Sequence, residues 1–147
     1  LYDLPDDFET LASSRNNLGH LQAAGVTVAL GALGGIGGTT PVNLPSYAGN
    51  AVAQGSVPGG KGLTRGQALA AITSNPARIF GLGDTGALEA GKRADIVLWD
   101  GDPLELASTP VMVWIDGAAQ PMTSRQTELA NRYKALGRTD LPLQYPR

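Results

Sequence analysis

Few residues of this chain are suited to acid-base or metal chemistry. It contains one histidine, His20, and no cysteine, so zinc-thiolate sites, disulfides and a cysteine nucleophile are excluded. A histidine metal site or a Ser-His-Asp triad would have to be built around that single imidazole. Because His20 lies between Leu18 and Leu21 in a predicted helix, we interpret it as a half-exposed helix residue.

Three aspartates, Asp95, Asp100 and Asp102, lie close together and carry the oxygen ligands that hard cations prefer. Their spacing lacks the glycine and the terminal glutamate of a calcium-binding loop. Asp100 and Asp102 precede a proline, and we expect them to start a turn by accepting bonds from their own backbone. Asp95 is expected to pair with Lys92 or Arg93.

Residues 31–38, GALGGIGG, are a third candidate, because the backbone amides of glycine-rich loops can cradle an anion. The chain has no G-x-x-x-x-G-K-[ST] motif, and Lys61 lies too far along to act as its lysine. A run this rich in glycine holds neither a helix nor a strand. We interpret it as a loop with a packing or gating role.

Composition describes a globular but loop-rich chain. Its 147 residues are 42% hydrophobic and 16% charged, with 20 Gly and 10 Pro. The net charge of -2 and the scattering of the 11 Lys and Arg argue against a nucleic-acid partner. No stretch reaches the roughly 20 apolar residues of a membrane helix, so no membrane partner is expected either. No signal peptide follows Leu1, and we expect a processed product or a fragment.

Apolar periodicity predicts alternating helices and strands in the first half. A helix is predicted over residues 6–24, followed by Val26–Leu30 as a strand buried on both faces, as in a parallel sheet. A second helix is predicted over residues 43–53. Thr64-Arg-Gly-Gln67 has capping-box spacing and should open a third. Asn75-Pro76 should break that helix, with the proline at the first position of the next turn.

The second half has a different pattern. Strands are predicted at Ile96–Trp99 and Val111–Ile115. They are followed by Asp100-Gly101 and Asp116-Gly117, and Asp-Gly pairs are typical of tight hairpins. A last helix is predicted from Ser124 to Leu136, with the serine as its cap.

Two runs resemble one superfamily closely. Residues 63–82, LTRGQALAAITSNPARIFGL, and residues 85–104, TGALEAGKRADIVLWDGDPL, resemble the C-terminal end of the amidohydrolase superfamily. The resemblance is to members similar to imidazolonepropionase and to related cyclic amidases and dipeptidases. It implies an α/β fold: the C-terminal αβ units of a (β/α)8 TIM-type barrel, followed by strands of a small β-sandwich. Residues 24–31 then resemble the eighth barrel strand and the end of the helix before it.

The resemblance divides the chain into three parts. Residues 1–82 correspond to the last part of the metal-dependent hydrolase barrel, residues 83–122 to the return strands of the composite β-sandwich, and residues 123–147 to a C-terminal helix and tail. A whole barrel takes about 250 residues. We therefore expect a fragment or subunit that is completed, in an oligomer, by a complementary polypeptide carrying the N-terminal barrel strands.

The resemblance also bears on the metal. In the superfamily a His-x-His motif, a bridging lysine or glutamate and two further histidines lie on earlier strands, and this chain has no His-x-His. Where the family commonly has Gly-Thr-Asp, its aspartate acting as metal ligand and as base for the attacking water, this chain has Gly31-Ala32-Leu33. We assign no catalytic residue, no metal ligand and no cofactor to this chain. A zinc-like divalent metal would come from the missing part.

The loop at residues 31–42 would lie at the C-terminal end of a barrel strand, where such barrels place their sites. Its polar side chains make Thr39, Thr40 and Asn43 the candidate substrate-binding residues. A related branch of the superfamily has His and Arg before an Asn-Leu pair, and this chain keeps Asn43-Leu44 without them. The alternative is that Asn43 caps the next helix and the threonines bond the loop backbone.

Three functions remain open. The first is the C-terminal part of a hydrolase of amide-type carbon-nitrogen bonds, non-peptide or in dipeptides, with this chain alone not competent. The second is a catalytically silent structural or interaction subunit, which Ala32 and Leu33 favour. The third, a stand-alone binding module, is least favoured because half a barrel would expose large apolar patches. The resemblance favours the first.

Overall fold

The computed structural model describes residues 14–32 and 41–134. These residues form a mixed α/β structure in which helices come first and a small antiparallel sheet follows, before a last helix. Three predicted regions lie outside the described residues: the first part of the predicted N-terminal helix, most of the glycine-rich loop, and the last residues of the predicted C-terminal helix.

Helix α1 spans Asn17–Ala23, so within the described residues it begins later than predicted. Asn16 takes the N-cap position without a side-chain cap bond, and its amide group contacts the loop before α3 instead. The helix ends as the sequence indicates, because Gly25 adopts the left-handed φ of 78° that a helix C-terminus favours.

The segment Val26–Leu30 is not a β-strand, and its prediction is wrong. Val28 is buried, at 5% exposure, but Val26 is 44% exposed. A strand needs a neighbouring strand to pair with. The sheet of the described residues is built only from later parts of the chain, so the backbone of this segment finds its partners in helices. An apolar run alone does not supply such a neighbour.

Helix α2 spans Leu44–Ala53, after a 3₁₀ turn at Pro41–Asn43, and matches the prediction closely. A second 3₁₀ turn, Gln54–Ser56, ends it. Its face toward the core is made of small residues: Ala48 is fully buried, and a Cβ at Gly49 would overlap the carbonyl oxygen of Leu104. Small side chains therefore let the backbone of α2 approach its neighbours closely.

Helix α3 spans Arg65–Ile72 and has the predicted capping box. The Gln67 N–H donates to Thr64 Oγ1 at 3.3 Å, and the Thr64 N–H donates to Gln67 Oε1 at 2.9 Å. The helix breaks at Thr73, earlier than predicted, and α4 follows as Ser74–Ile79. Pro76 is thus the third residue of α4 rather than the first. It is tolerated there because N–H groups of a first turn have no acceptor within the helix.

The sheet contains β1 (Ile96–Trp99), β2 (Pro110–Ile115) and β3 (Ala118–Ala119) in sequence order. Both predicted strands are confirmed. Asp116-Gly117 forms a tight turn between β2 and β3 with positive φ at both residues, 52° and 75°, as a type I′ hairpin requires. The pair Asp100-Gly101 forms no such hairpin, because a longer connection separates β1 from β2.

The core is small and lies on the helical side. It consists of Ala48, Leu63, Ala68 and Leu104, with partly buried apolar side chains around it. Leu104 comes from the connection between β1 and β2, so that connection ties the sheet to α2 and α3. No residue of the three strands is buried among the described residues.

Helix α5 spans Arg125–Lys134, and Ser124 caps it as predicted, its Oγ accepting from the Thr127 N–H at 3.2 Å. None of its residues is buried. No helix within residues 14–32 and 41–134 is both long enough and apolar enough to cross a membrane.

Candidate functional site

The three predicted substrate-binding residues fall at the edge of the described structure. Thr39 and Thr40 lie outside the described residues. Asn43 ends the 3₁₀ turn before α2 and is exposed. It occupies the N-cap position of α2, but its side chain makes no capping bond to that helix. Asn43 thus has the position of the predicted helix cap but does not make the capping hydrogen bond.

The loop of residues 31–42 follows the segment of residues 26–30. Three neighbouring contacts attach that segment to α3 and α4. The Leu30 N–H donates to the Ala71 carbonyl oxygen at 2.8 Å. The Asn75 Nδ2 group donates to the Val28 carbonyl oxygen at 2.8 Å, and an Arg78 guanidinium nitrogen donates to Thr27 Oγ1 at 2.7 Å. The end of α3 and the start of α4 therefore fix where the loop begins.

The loop between α2 and α3 is attached by another asparagine. Asn16 Oδ1 accepts from the Lys61 N–H at 2.9 Å and from Gln54 Nε2 at 3.1 Å. Its Nδ2 group donates to the Gly59 carbonyl oxygen at 3.4 Å. One side chain thus links α1 to both ends of the loop. The sequence predicts neither Asn16 nor Asn75 as a contact residue, because nothing local marks a side chain that bonds a backbone more than forty residues away.

A groove of about 350 Å³ lies between α2 and the connection from β1 to β2. Ser46 and Asn50 of α2 line one side, and Leu104 and Leu106 line the other. At its rim, Arg65 is paired with Asp102 and lies 3.5 Å from Glu105. Because these carboxylates already engage the guanidinium, Arg65 offers little net positive charge to an anionic ligand.

The three aspartates singled out by the sequence have structural contacts. Asp102 Oδ1 accepts from the Leu104 N–H at 2.9 Å, which is the predicted turn contact, and its carboxylate also pairs with Arg65. Asp95 pairs with Arg93 at 2.9 Å, one of its two predicted partners. Asp100 departs from its prediction: it accepts from both the N–H and the hydroxyl of Thr109, each at 2.7 Å, across the connection.

Two of these carboxylates have lowered pKa values. The hydrogen bond from the Asp116 backbone N–H is the main reason that the pKa of Asp95 is lowered, and Arg93 adds to it. The backbone N–H and then the hydroxyl of Thr109 lower the pKa of Asp100. Hydrogen bonds to a carboxylate favour its charged form. Both groups act as charged acceptors that close turns of the sheet.

His20 lies on the exposed side of α1, in agreement with its interpretation as a helix residue. Within residues 14–32 and 41–134, no three His, Asp or Glu side chains come together as metal ligands would. Ala32, which the resemblance places where the family commonly has threonine, offers no ligand atom. The described residues therefore do not form a metal site of their own.

The helices, the small sheet and the loop entry define an α/β protein, and its family follows from comparison with known sequences. A sequence model of the amidohydrolase family matches residues 6–119, well over half of the chain. The chain belongs to the amidohydrolase family. The resemblance identified in residues 63–82 and 85–104 is thereby confirmed.

Individual relatives agree with this assignment. The amidohydrolase tasK of Hapsidospora irregularis is 52% identical over 60 residues, which are 40% of this chain and 6% of that protein. The imidazolonepropionase of Ruegeria pomeroyi is 50% identical over 46 residues, 31% of this chain and 12% of that protein. The chain therefore spans only a small part of the length of these relatives.

The fold agrees as well. The crystal structure of an amidohydrolase from Thermotoga maritima MSB8 is similar with a TM-score of 0.66 and 29% sequence identity. The similarity covers 79% of this chain and 28% of that one. Hydrolase family membership is thus established from sequence and from structure.

Proposed function

We propose that this chain is the C-terminal part of an amidohydrolase-type enzyme that hydrolyses amide-type carbon-nitrogen bonds, either non-peptide or in dipeptides. In this proposal residues 1–82 complete a (β/α)8 barrel, residues 83–122 return the chain to a composite β-sandwich, and residues 123–147 form a C-terminal helix and tail. The observation that carries the proposal is the match of the amidohydrolase family over residues 6–119.

The exposed sheet supports the idea that another polypeptide completes the structure. Strands β1 and β2 are apolar at every position, yet none of their residues is buried, and Leu98 is 52% exposed. An antiparallel sheet in contact with water normally alternates apolar and polar residues. A sheet that is apolar on both faces is stable in water when other elements cover it. The proposed cover is a complementary polypeptide, in an oligomer.

The same polypeptide would carry the catalytic metal, which we propose to be a zinc-like divalent ion. Such an ion polarises a carbonyl group and activates water. This chain's contribution is geometric: Thr39, Thr40 and Asn43 would line the substrate pocket at the mouth of the barrel. The exposure of Asn43 supports this role, and its side chain makes no capping bond to α2.

A second candidate function is a catalytically silent subunit of the same family. The observation that favours it is Gly31-Ala32-Leu33, which replaces the Gly-Thr-Asp expected from the resemblance. Alanine and leucine neither bind a cation nor accept a proton. A silent subunit would keep the fold and the exposed sheet while contributing no chemistry.

One experiment separates the two functions. The tagged chain is isolated with whatever polypeptide binds it, and that partner is sequenced and inspected for His-x-His. The complex is then assayed, with and without added zinc, against cyclic amides, N-acyl amino acids and dipeptides. We expect a partner with His-x-His and hydrolysis that a chelator abolishes. A partner lacking that motif, or a complex that hydrolyses none of these substrates, would leave the silent subunit as the better description.

A further inference from the structure

The two Asp-Gly pairs of the sheet region share a sequence but differ in their contacts. Asp100-Gly101 follows β1, and Asp116-Gly117 forms the turn between β2 and β3. In an Asp-Gly pair the backbone nitrogen of the glycine can attack the aspartate Cγ, because no glycine Cβ obstructs the approach. The N–Cγ bond forms, and the OH of the protonated carboxyl group leaves as water with the amide hydrogen. Water then opens the cyclic imide to isoaspartate or aspartate, so the whole reaction is an isomerisation.

At Asp100 the carboxyl group is held by a residue across the connection from β1 to β2. Its two oxygens accept from the N–H and the hydroxyl of Thr109, each at 2.7 Å. These bonds lower the pKa of Asp100, and a charged carboxylate has no OH to lose. The following glycine is closely packed, since a Cβ at Gly101 would lie 2.7 Å from Ser108 Oγ. Attack at Asp100 therefore requires two hydrogen bonds to a charged group to break.

At Asp116 the reacting groups are less restrained. The residue is exposed, and none of the hydrogen bonds among the described residues engages its carboxyl group. The Asp116 N–H donates to Asp95 Oδ1 at 2.9 Å, but this nitrogen takes no part in the reaction. The attacking nitrogen of Gly117 gives up one bond, to the Ala94 carbonyl oxygen at 3.0 Å. Asp116 also has a left-handed φ of 52°, which is strained for a residue with a side chain, so opening of the turn releases strain.

We propose that Asp116-Gly117 is a site of isoaspartate formation in the folded chain and that Asp100-Gly101 is protected. The difference comes from the contacts of the two pairs, because their sequence is the same. It is independent of the proposed function. Isoaspartate adds one carbon to the backbone of a two-residue turn, so the modification removes the pairing of β3 with β2.

The test is to incubate the 147-residue chain at mildly acidic pH, below its thermal midpoint. The sample is then digested with a protease that cleaves before aspartate but not before isoaspartate. Loss of cleavage before Asp116 and before Asp100 gives both rates from the same sample. We expect the rate at Asp116 to be at least about tenfold higher, the scale of one additional hydrogen bond to a charged group. In concentrated urea, where the contacts of the fold are absent, the two rates should become similar.

A threonine substitution tests the cause of the protection. Thr109→Val keeps the backbone N–H but removes the hydroxyl that holds Asp100. It should raise the rate at Asp100 about tenfold and leave the rate at Asp116 unchanged. The matched control is Thr123→Val, the same change on an exposed residue after the sheet, which should alter neither rate.

Equal rates in the folded chain, or a higher rate at Asp100, would overturn the proposal. A difference that persists in urea would overturn it too, because the flanking residues would then account for it. An unchanged rate at Asp100 in Thr109→Val would contradict the assigned cause of the protection.

A second measurement follows the effect on the sheet, in the isoaspartate form after chromatographic separation. The Gln120 N–H donates to the Val113 carbonyl oxygen at 2.8 Å, just beyond the turn. Its amide hydrogen should exchange about tenfold faster than in the unmodified chain, the scale of one lost hydrogen bond. The Leu63 amide, which donates to Ala51 in the helical core, should keep its rate. An unchanged rate at Gln120 would contradict the expected loss of pairing between β2 and β3.

Discussion

The helical region and the sheet use apolar residues in opposite ways. Helices α2 and α3 carry small apolar residues and bury them: Ala48 and Ala68 are fully buried, and Leu104 covers them at 6% exposure. Strands β1 and β2 carry larger apolar residues and bury none. The more hydrophobic region is therefore the less buried one. Hydrophobicity alone does not tell which region this chain can stabilise by itself.

The connection between β1 and β2 belongs to both regions. It starts and ends in the sheet, but Leu104 packs into the helical core, and Asp102 pairs with Arg65 of α3. The sheet is thus attached to the helices by a few contacts at one end. We expect its faces to gain most from a covering polypeptide, and the helical core to gain little.

The largest expected effect comes from the residue that joins the two regions. Leu104→Ala should lower the free energy of unfolding of the chain by about 2–5 kcal/mol, because it removes a large side chain from a small core. Leu106→Ala is the matched control: at 87% exposure, this leucine should change stability by no more than about 0.5 kcal/mol. Urea unfolding followed by circular dichroism gives both values. Similar losses in the two variants would contradict the assignment of the core.

Two glycine substitutions test the close packing of the helical region. Gly49→Ala should destabilise the chain by about 1–3 kcal/mol, because its Cβ would overlap the Leu104 carbonyl oxygen. Gly66→Ala, in α3, has open space around its Cβ and should stabilise the chain by up to about 1 kcal/mol. The same chemical change should thus have opposite signs in two helices. Equal shifts of the thermal midpoint would refute the close approach at Gly49.

The sheet should respond to substitution only when it is covered. Leu98→Thr keeps a residue suited to strands, and in the isolated chain it should change the free energy of unfolding by about 0.5 kcal/mol or less. Affinity for the complementary polypeptide should fall about tenfold, roughly 1.4 kcal/mol. Calorimetric titration measures the affinity, and Thr123→Ser, on an exposed residue after the sheet, serves as control. Unchanged affinity would mean that this face of the sheet is not the contact surface.

The smallest effect concerns pH and is confined to the turns of the sheet. Because the pKa values of Asp95 and Asp100 are lower in the folded chain, their contribution to stability is full above the ordinary aspartate pKa of about 3.9. It is lost as pH falls through the lowered values. The thermal midpoint should therefore decrease as the pH is lowered from 5 to 2. It should decrease less steeply in the double variant that carries both Asp95→Asn and Asp100→Asn. Identical slopes for variant and wild type would contradict this role.

The elements that the sequence predicts well depend on neighbouring residues. The capping box at Thr64 and Gln67 and the type I′ turn at Asp116-Gly117 are decided within four residues by side-chain chemistry and allowed φ angles. The segment Val26–Leu30 has the residues of a strand, but a strand also needs a distant neighbour. The exact break at Thr73 rather than Asn75 likewise depends on contacts outside the helix.

The candidate site also contains residues that the sequence indicates and residues that it does not. The resemblance led to the loop and to Thr39, Thr40 and Asn43, which remain predictions. The residues that hold the entry to that loop, Asn75 and Arg78, are marked in the sequence only as part of a predicted helix break and of the run that resembles the family. Their partners are 47 and 51 residues away, and no local pattern gives that pairing.

Those separations have a consequence for synthesis on the ribosome. Residues 27–30 emerge from the exit tunnel well before Asn75 and Arg78, and at about 5–20 residues per second the delay is roughly 2–10 seconds. Throughout that interval the nascent segment, with Val28 and Leu30, has none of its final partners from α3 and α4. Its final contacts therefore form only after α4 has been made, whereas the hairpin of β2 and β3 can close as soon as it appears.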